Sequence, residues 1–304
     1  MTVTADLEQP RELAEGQSDA VTVAFSDAEA DVCGLARVGR SRSDGQVLAS
    51  GLALLFAGGK PVAAAALGGE PAGGSWEETR AAGVRTEVVK PLESWRIAFQ
   101  PEDSRHGFDL ELRALSAPAE IDPGSKAAKV GGMAGYDQLV AVRGEVTVDG
   151  RKRRFEGRGT RGRSWGAPDW DRLSLARTIS GWLEGDTGLT ITAVRPAKAK
   201  SHADEAIHAV LLEGADGDGS KAVPVPVAEP RISTIYDAEG RQRSVGLELF
   251  RSKDSEWAER AAAEVACGTT LDLGRLRLDC AFVRWHMEGR TGVGRYDILR
   301  RVDR

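Results

Sequence analysis

No apolar run in this chain of 304 residues approaches the length of a bilayer-spanning helix. The longest, GLALLFAGG and PVAAAALGG, fall far short of the roughly 20 residues such a helix needs, so no membrane span is expected. A secretory signal is missing as well, because the opening MTVTADLEQPRELAEGQSDA has neither a basic start nor an apolar stretch. Residues 1–20 are read as a disordered acidic leader, and the protein as cytoplasmic. Nor is there an excess of cations. A net charge of −5 gives the chain as a whole no electrostatic footprint for nucleic acid.

Cysteine is scarce: Cys33, Cys267 and Cys280 show no paired spacing, which points to reduced core thiols. No His/Cys/Asp/Glu spacing fits a metal site, no glycine loop opens a helix as phosphate cradles do, and no serine-nucleophile motif occurs. No cofactor and no metal are therefore expected, and any chemistry falls to side chains in a pocket.

What the chain does have is alternation. Runs such as AVTVAFSD, VRTEVVKPLESWRIAFQ, FDLELRALS and RISTIYDAEGRQRSVGLELF recur about every ten residues between glycine or aspartate turns, the pattern of sandwiches and barrels. There are too many for one small sandwich. The composition changes near SWGAPDWDRLS, so two consecutive β-domains are expected, residues 21–167 and 168–304. One stretch reads as a helix: Asp254–Ala266, where Trp257, Ala261 and Val265 follow helical spacing among helix formers.

The segment QLVAVRGEVTVDGRKRRFEGRGTRGRSWG reads in most detail. Asp149-Gly150 suits a two-residue type I′ turn, and such a turn fixes the register of both flanking strands. Glu145 then faces Arg154 and Arg143 faces Glu156 on a solvated face. Val140, Val142, Val146, Val148 and Phe155 point inward, as do Gly157 and Gly159, followed by Tyr136, Gln138, Arg161 and Arg163 at the far end. Two readings stay open: a cavity with a polar end, cleared by the glycines, or a barrel corner whose arginines emerge into water. The cations divide between two faces, so the cluster does not read as a phosphate-binding patch.

A second constellation lies in RLRLDCAFVRWHMEGRTGVGRYDIL. Leu276, Leu278, Cys280 and Phe282 share a parity with Arg284, His286 and Glu288. If a bulge flips the strand, Val283, Trp285 and Met287 turn inward and the polar trio is wet. His286 reads as a hydrogen-bonded structural residue or, with Glu288, as a general acid or base.

Four segments together resemble the AttH-like and carotenoid-hydratase-like family of two-lipocalin-domain proteins. They are VCGLARVGRS, VVKPLESWRIAF, the hairpin YDQLVAVRGEVTVDGRKRRFEGRGTRGRSWG, and MEGRTGVGRYD. The family's hairpin ends in a Gly-x-Gly-x-Arg-Asp-His-Ser-Trp-Gly-like motif, of which this chain keeps Gly157, Gly159, Arg161, Ser164, Trp165 and Gly166. Gly162 and Arg163 stand where the family has Asp-His, and neither is a replacement acid. The resemblance implies an all-β fold of two consecutive lipocalin-like antiparallel barrel or sandwich domains with little helix. It extends to lipocalin-like pericyclases, which work without a cofactor, and implies an apolar cavity near the domain junction.

The expected ligand is a hydrophobic small molecule, a polyene, polyketide or terpenoid, bound by a monomer or homodimer. The expected activity is that of a cyclase, isomerase or hydro-lyase in secondary metabolism, with a non-catalytic carrier as the alternative. Arg161, Arg163 and Tyr136 would polarise an oxygen, helped by Gln138. Trp165, Trp170, Trp182 and Trp285 would form apolar walls beside Gly157 and Gly159. Asp169, Asp171, His286 and Glu288 are the candidate proton carriers.

Overall fold

The computed structural model describes residues 3–29, 31–102, 105–201, 204–214 and 220–302. The chain divides into two compact units, one of residues 1–120 and 133–167, the other of 121–132 and 168–304.

Alternating sequence becomes antiparallel sheet throughout. The first unit opens with β1 (Ser18–Ser26), β2 (Val32–Ser43), β3 (Gln46–Ala57) and β4 (Lys60–Pro71). After a connection come β5 (Val84–Lys90), β6 (Ser94–Phe99), β7 (Gly107–Ala114) and the short β8 (Ala119–Ile121). The long hairpin of β9 (Met133–Val148) and β10 (Arg151–Gly166) completes it. The sheet order is β4-β3-β2-β1-β10-β9-β7-β6-β5, with β8 beside β9. β1 and β10, the first and last strands, pair at its centre.

The hairpin register is the one the turn dictates. Asp149 and Gly150 both have positive φ, 52° and 76°, as type I′ requires. Arg154 lies opposite Glu145 and Glu156 opposite Arg143. Arg143 and Glu156 form an exposed ion pair at 2.9 Å, whereas Glu145 reaches Lys152 instead of Arg154. On the inner face Val140, Val142, Val146 and Phe155 join Phe25, Trp76, Trp95, Phe99 and Phe108 in one core. Phe25 meets Phe108 and Phe155 edge-on, with ring centres 5.0 and 5.2 Å apart.

The second unit repeats the plan. Its strands are β11 (Leu173–Leu183), β12 (Gly188–Pro196), β13 (Ala206–Glu213), β14 (Val223–Pro226) and β15 (Glu229–Tyr236). They continue with β16 (Gln242–Phe250), β17 (Glu259–Asp272), β18 (Leu276–Met287) and β19 (Arg290–Arg301). The order β14-β13-β12-β11-β19-β18-β17-β16-β15 again pairs first and last strands at the centre. Each unit is thus a curled antiparallel half-barrel, the all-β architecture expected. A short helix, α1 (Lys126–Gly131), packs on β12 and β13, capped by Ser125 at its start and by Gly132, at φ 62°, at its end.

Two expectations are overturned. The segment expected as a disordered leader is ordered over its described part: Ala5–Glu8 form a 3-10 turn, and Leu7, Glu8 and Leu13 are buried. Residues 1 and 2 lie outside the described residues. The reason is charge, since the acidic residues read as solvating meet buried arginines. The helix expected over Asp254–Ala266 is instead a turn followed by β17, which pairs with β16 and β18 on its two sides. Ala261 and Ala263 alternate into the core, and Trp257 is 84% exposed. Pairing on both edges overrides helix propensity here.

Candidate functional site

The inner face of the β9–β10 hairpin does end in polar residues, but the glycines before them clear no cavity. A Cβ on Gly157 would stand 2.1 Å from the Ser26 carbonyl oxygen, and one on Gly159 2.0 Å from that of Ala24. Both glycines therefore exist so that β1 can approach β10 closely. Here β1 closes tightly on β10 at the centre of the sheet, and the side chains beyond are buried.

Arg161, Arg163, Tyr136 and Gln138 are all essentially inaccessible to solvent. Two buried guanidinium groups demand counter-charges, and carboxylates supply them. Arg161 makes a two-pronged contact with Glu8, Nη1 to Oε1 at 2.9 Å and Nη2 to Oε2 at 2.5 Å. The Tyr136 hydroxyl donates to the same Oε1 at 2.9 Å. Arg163 Nη2 lies 2.9 and 3.1 Å from the two oxygens of Asp19 and donates to the Gln9 carbonyl at 3.2 Å. Indole rings flank the cations: Arg161 stands 4.3 Å over Trp95, and Arg163 4.5 Å over Trp76. Burial, and then the Glu8 charge, push the Tyr136 phenol well above its ordinary range, so it serves as a proton-bearing donor. Burial lowers Arg163 while Asp19 opposes that shift.

Gln138 has a different task from the one expected. Its amide donates to the main-chain carbonyls of Ser116 at 3.0 Å and Leu92 at 3.3 Å, tying the β5–β6 turn to the hairpin. Leu92 holds a positive φ of 59° in that turn. Trp165 is half-buried, edge-on to Tyr136 and covered by the Arg11 guanidinium at 4.7 Å. On the opposite face Gly162 pairs with Asp137, and a Cβ there would meet Asp137 Oδ1 at 2.2 Å. A carboxylate from the neighbouring strand thus covers the position where the resembling family carries its acid.

Residues 4–301 match the family described as Domain of unknown function (DUF7064). The chain belongs to that family. Solved structures share its fold: the AttH protein NE1406 of Nitrosomonas europaea superposes with a TM-score of 0.65 at 13% identity, covering 93% of this chain and 91% of that one. Kievitone hydratase from Nectria haematococca gives 0.63 at 11% identity, covering 98% and 93%. CghA, solved with Sch210972, gives 0.61 at 12% identity, covering 95% and 89%. The sequence resemblance to AttH-like proteins therefore holds as a likeness of fold. No curated protein matches the chain in sequence.

The remaining expected site residues belong to the second unit and serve its structure. Asp169 is an exposed turn residue whose carboxylate accepts the Asp171 amide at 3.0 Å, and Asp171 pairs with Arg275 at the surface. Trp170 gives its carbonyl to Arg301. Trp182 is buried edge-on to Phe282, and Trp285 sits in the core, donating to the Ser180 carbonyl at 3.2 Å. In β18, Val283, Trp285 and Met287 point inward, and Arg284 and His286 are exposed. His286 lines a surface hollow of about 430 Å³ with Arg231, Glu248 and Arg260. Glu288, at φ 47°, occupies the β18–β19 turn and accepts the Arg260 amide. Sequence reasoning missed Glu8, Asp19, Trp76 and Trp95. For Glu8 and Asp19 the only signal was an acid beside an apolar residue in a supposed leader.

Proposed function

We propose that the first unit is the working site of a cofactor-independent enzyme acting on a hydrophobic polyene, polyketide or terpenoid small molecule. The observation that carries this reading is the buried pair Arg161 and Arg163 at the end of an otherwise apolar half-barrel. A sheet that needed only stability would be served as well by apolar side chains there, since replacing buried ion pairs with packed hydrophobes is often neutral or stabilising. Guanidinium groups each stacked on an indole ring suit a substrate oxygen that gains negative charge as a bond shifts, with Tyr136 as neutral donor beside them. Holding a flexible apolar chain in one reactive shape would supply the rest of the rate enhancement.

A carrier role is the second reading, favoured by the occupation of the family's Asp-His positions by Gly162 and Arg163. A gene-deletion strain complemented with the wild-type chain or with Arg161→Met separates the two. The enzyme reading expects an uncyclised or unhydrated precursor to accumulate in the deletion and in the Arg161→Met strain only. An unchanged metabolite profile, with apolar molecules carried on the purified protein, would favour the carrier. An unchanged profile with nothing bound would sink both.

A further inference from the structure

We propose that Glu8 is an internal stand-in for a ligand's carboxylate, and that the first unit takes an apolar small molecule with a carboxylate head that enters by displacing the segment Thr4–Leu13. This deepens, and rests on, the reading of the first unit as a lipophilic-ligand site.

Glu8 is bound as a free carboxylate would be. Both oxygens face both terminal nitrogens of Arg161, and the Tyr136 hydroxyl adds a third donor. Yet Glu8 belongs to no strand. The sheet begins at Ser18, and the main-chain bonds of Leu7 and Gln9 stay within their own turn. What fixes the segment is the framework around the cluster: Trp76 donates to the Glu8 carbonyl at 3.0 Å, Arg163 to that of Gln9, and Asp19 accepts the Arg11 amide at 2.9 Å. Leu7 and Leu13 complete the seal with buried apolar side chains. The segment therefore resembles an amphipathic ligand, a carboxylate with apolar flanks, seated against the inner face of the half-barrel.

The charges set what can replace it. With Glu8 gone, Arg161 and Arg163 would face Asp19 alone, and a buried guanidinium without a counter-charge is strongly unfavourable. A neutral apolar molecule cannot cure that deficit, whereas an anionic head can. Donors also stand ready: Arg161 Nε, Arg163 Nε and Nη1, and Trp95 Nε1 are buried and find no acceptor among the described residues. A head group with more freedom than a tethered side chain can use them. Because the segment is covalently attached, it competes at an effective concentration on the order of millimolar, so the intact chain should bind weakly and selectively.

The test uses cis-parinaric acid, a fluorescent polyene carboxylate, and its methyl ester as the uncharged control. Both are titrated into the full wild-type chain and into Glu8→Ala, while hydrogen exchange follows the Leu7–Arg11 amides of the wild type. The acid should bind Glu8→Ala at least about tenfold more tightly than wild type, with the ester changing less than about twofold. Saturating acid should raise exchange at Leu7–Arg11 by at least about tenfold. If Glu8→Ala fails to fold, the wild-type exchange measurement decides alone. Equal tightening for acid and ester would overturn the carboxylate assignment. Binding of both probes with no effect of Glu8→Ala and no change in exchange would overturn the displacement while leaving the lipophilic-ligand reading intact. If neither probe binds either form, that reading falls and this inference with it.

Discussion

Strand β10 carries Gly157, Gly159 and Arg161 at alternate positions, and strand β19 carries Gly292, Gly294 and Tyr296. In both, a Cβ on the glycines would meet carbonyl oxygens of the first strand of the same unit. The distances are 2.1 and 2.0 Å in the first unit, and 2.3 and 2.0 Å in the second. The backbone device is shared, but the side chain beyond it differs. Arg161 finds its carboxylate on Glu8, ahead of the whole sheet. Tyr296 instead bonds to Arg177 of the adjacent β11 at 3.1 Å and to Thr234 at 2.6 Å. Arg177 in turn pairs with Glu205 at 2.9 Å, beside the start of β13. Each unit thus neutralises a buried arginine with a distant carboxylate. In the second the carboxylate is anchored between two sheet strands, and Arg195 also holds it at 3.2 Å. In the first it sits on a segment with no strand partner.

The sharpest way to break this comparison is Glu205→Ala. Removing one partner of a buried pair strands the other, so a loss of about 3–5 kcal/mol is expected in the second unit. Hydrogen exchange of the β11 and β12 amides would report it unit by unit, which a single melting curve of a two-unit chain would not. Added cis-parinaric acid should recover none of the loss. Recovery would mean that the second closure is a ligand site as well.

Next in size are Gly159→Ala and Gly294→Ala. Each would push a methyl group against a main-chain carbonyl that cannot swing aside, at a cost of about 2–3 kcal/mol. Comparable losses in the two variants, read by urea unfolding, would support the equivalence of the two closures. A loss at one site alone would show that the glycines answer to different neighbours.

The reach of sequence reasoning divides in the same way. The β9–β10 hairpin was legible to the residue because Asp149-Gly150 permits one turn type and the outer-face charges agree with its register. Parity from that turn then placed Tyr136, Arg161 and Arg163 together on the buried face. Glu8 was not legible, since 153 positions separate it from Arg161 and no periodicity spans that gap. An acid in a polar leader looks solvated until an arginine is known to lie beneath it. Around Asp254–Ala266, local propensity pointed to helix because the deciding hydrogen bonds come from two other strands.

The smallest effects come from the two tyrosines, one in each unit, and both carry a pH dependence. Burial is the first cause raising both phenols above their ordinary value of 10.0. At Tyr136 the charge of Glu8 raises the phenol further while Arg161 and Arg163 oppose it; at Tyr296 the charge of Arg177 and the Thr234 hydrogen bond oppose the rise. A raised value means that the fold holds the neutral phenol more tightly than the unfolded chain does. The stabilisation is therefore complete below pH 10 and is lost as pH climbs through each folded value. Tyr136→Phe and Tyr296→Phe should each cost about 1.5 kcal/mol at neutral pH through the lost hydroxyl bonds. Above pH 10, each substitution should remove part of the alkaline loss of stability, because each phenol stays neutral in the fold where the unfolded chain ionises. Urea unfolding of both variants and of the wild type from pH 8 to 11 measures it. An alkaline slope in Tyr136→Phe equal to that of the wild type would show that the Tyr136 phenol is not held neutral by the fold, against its burial beside Glu8.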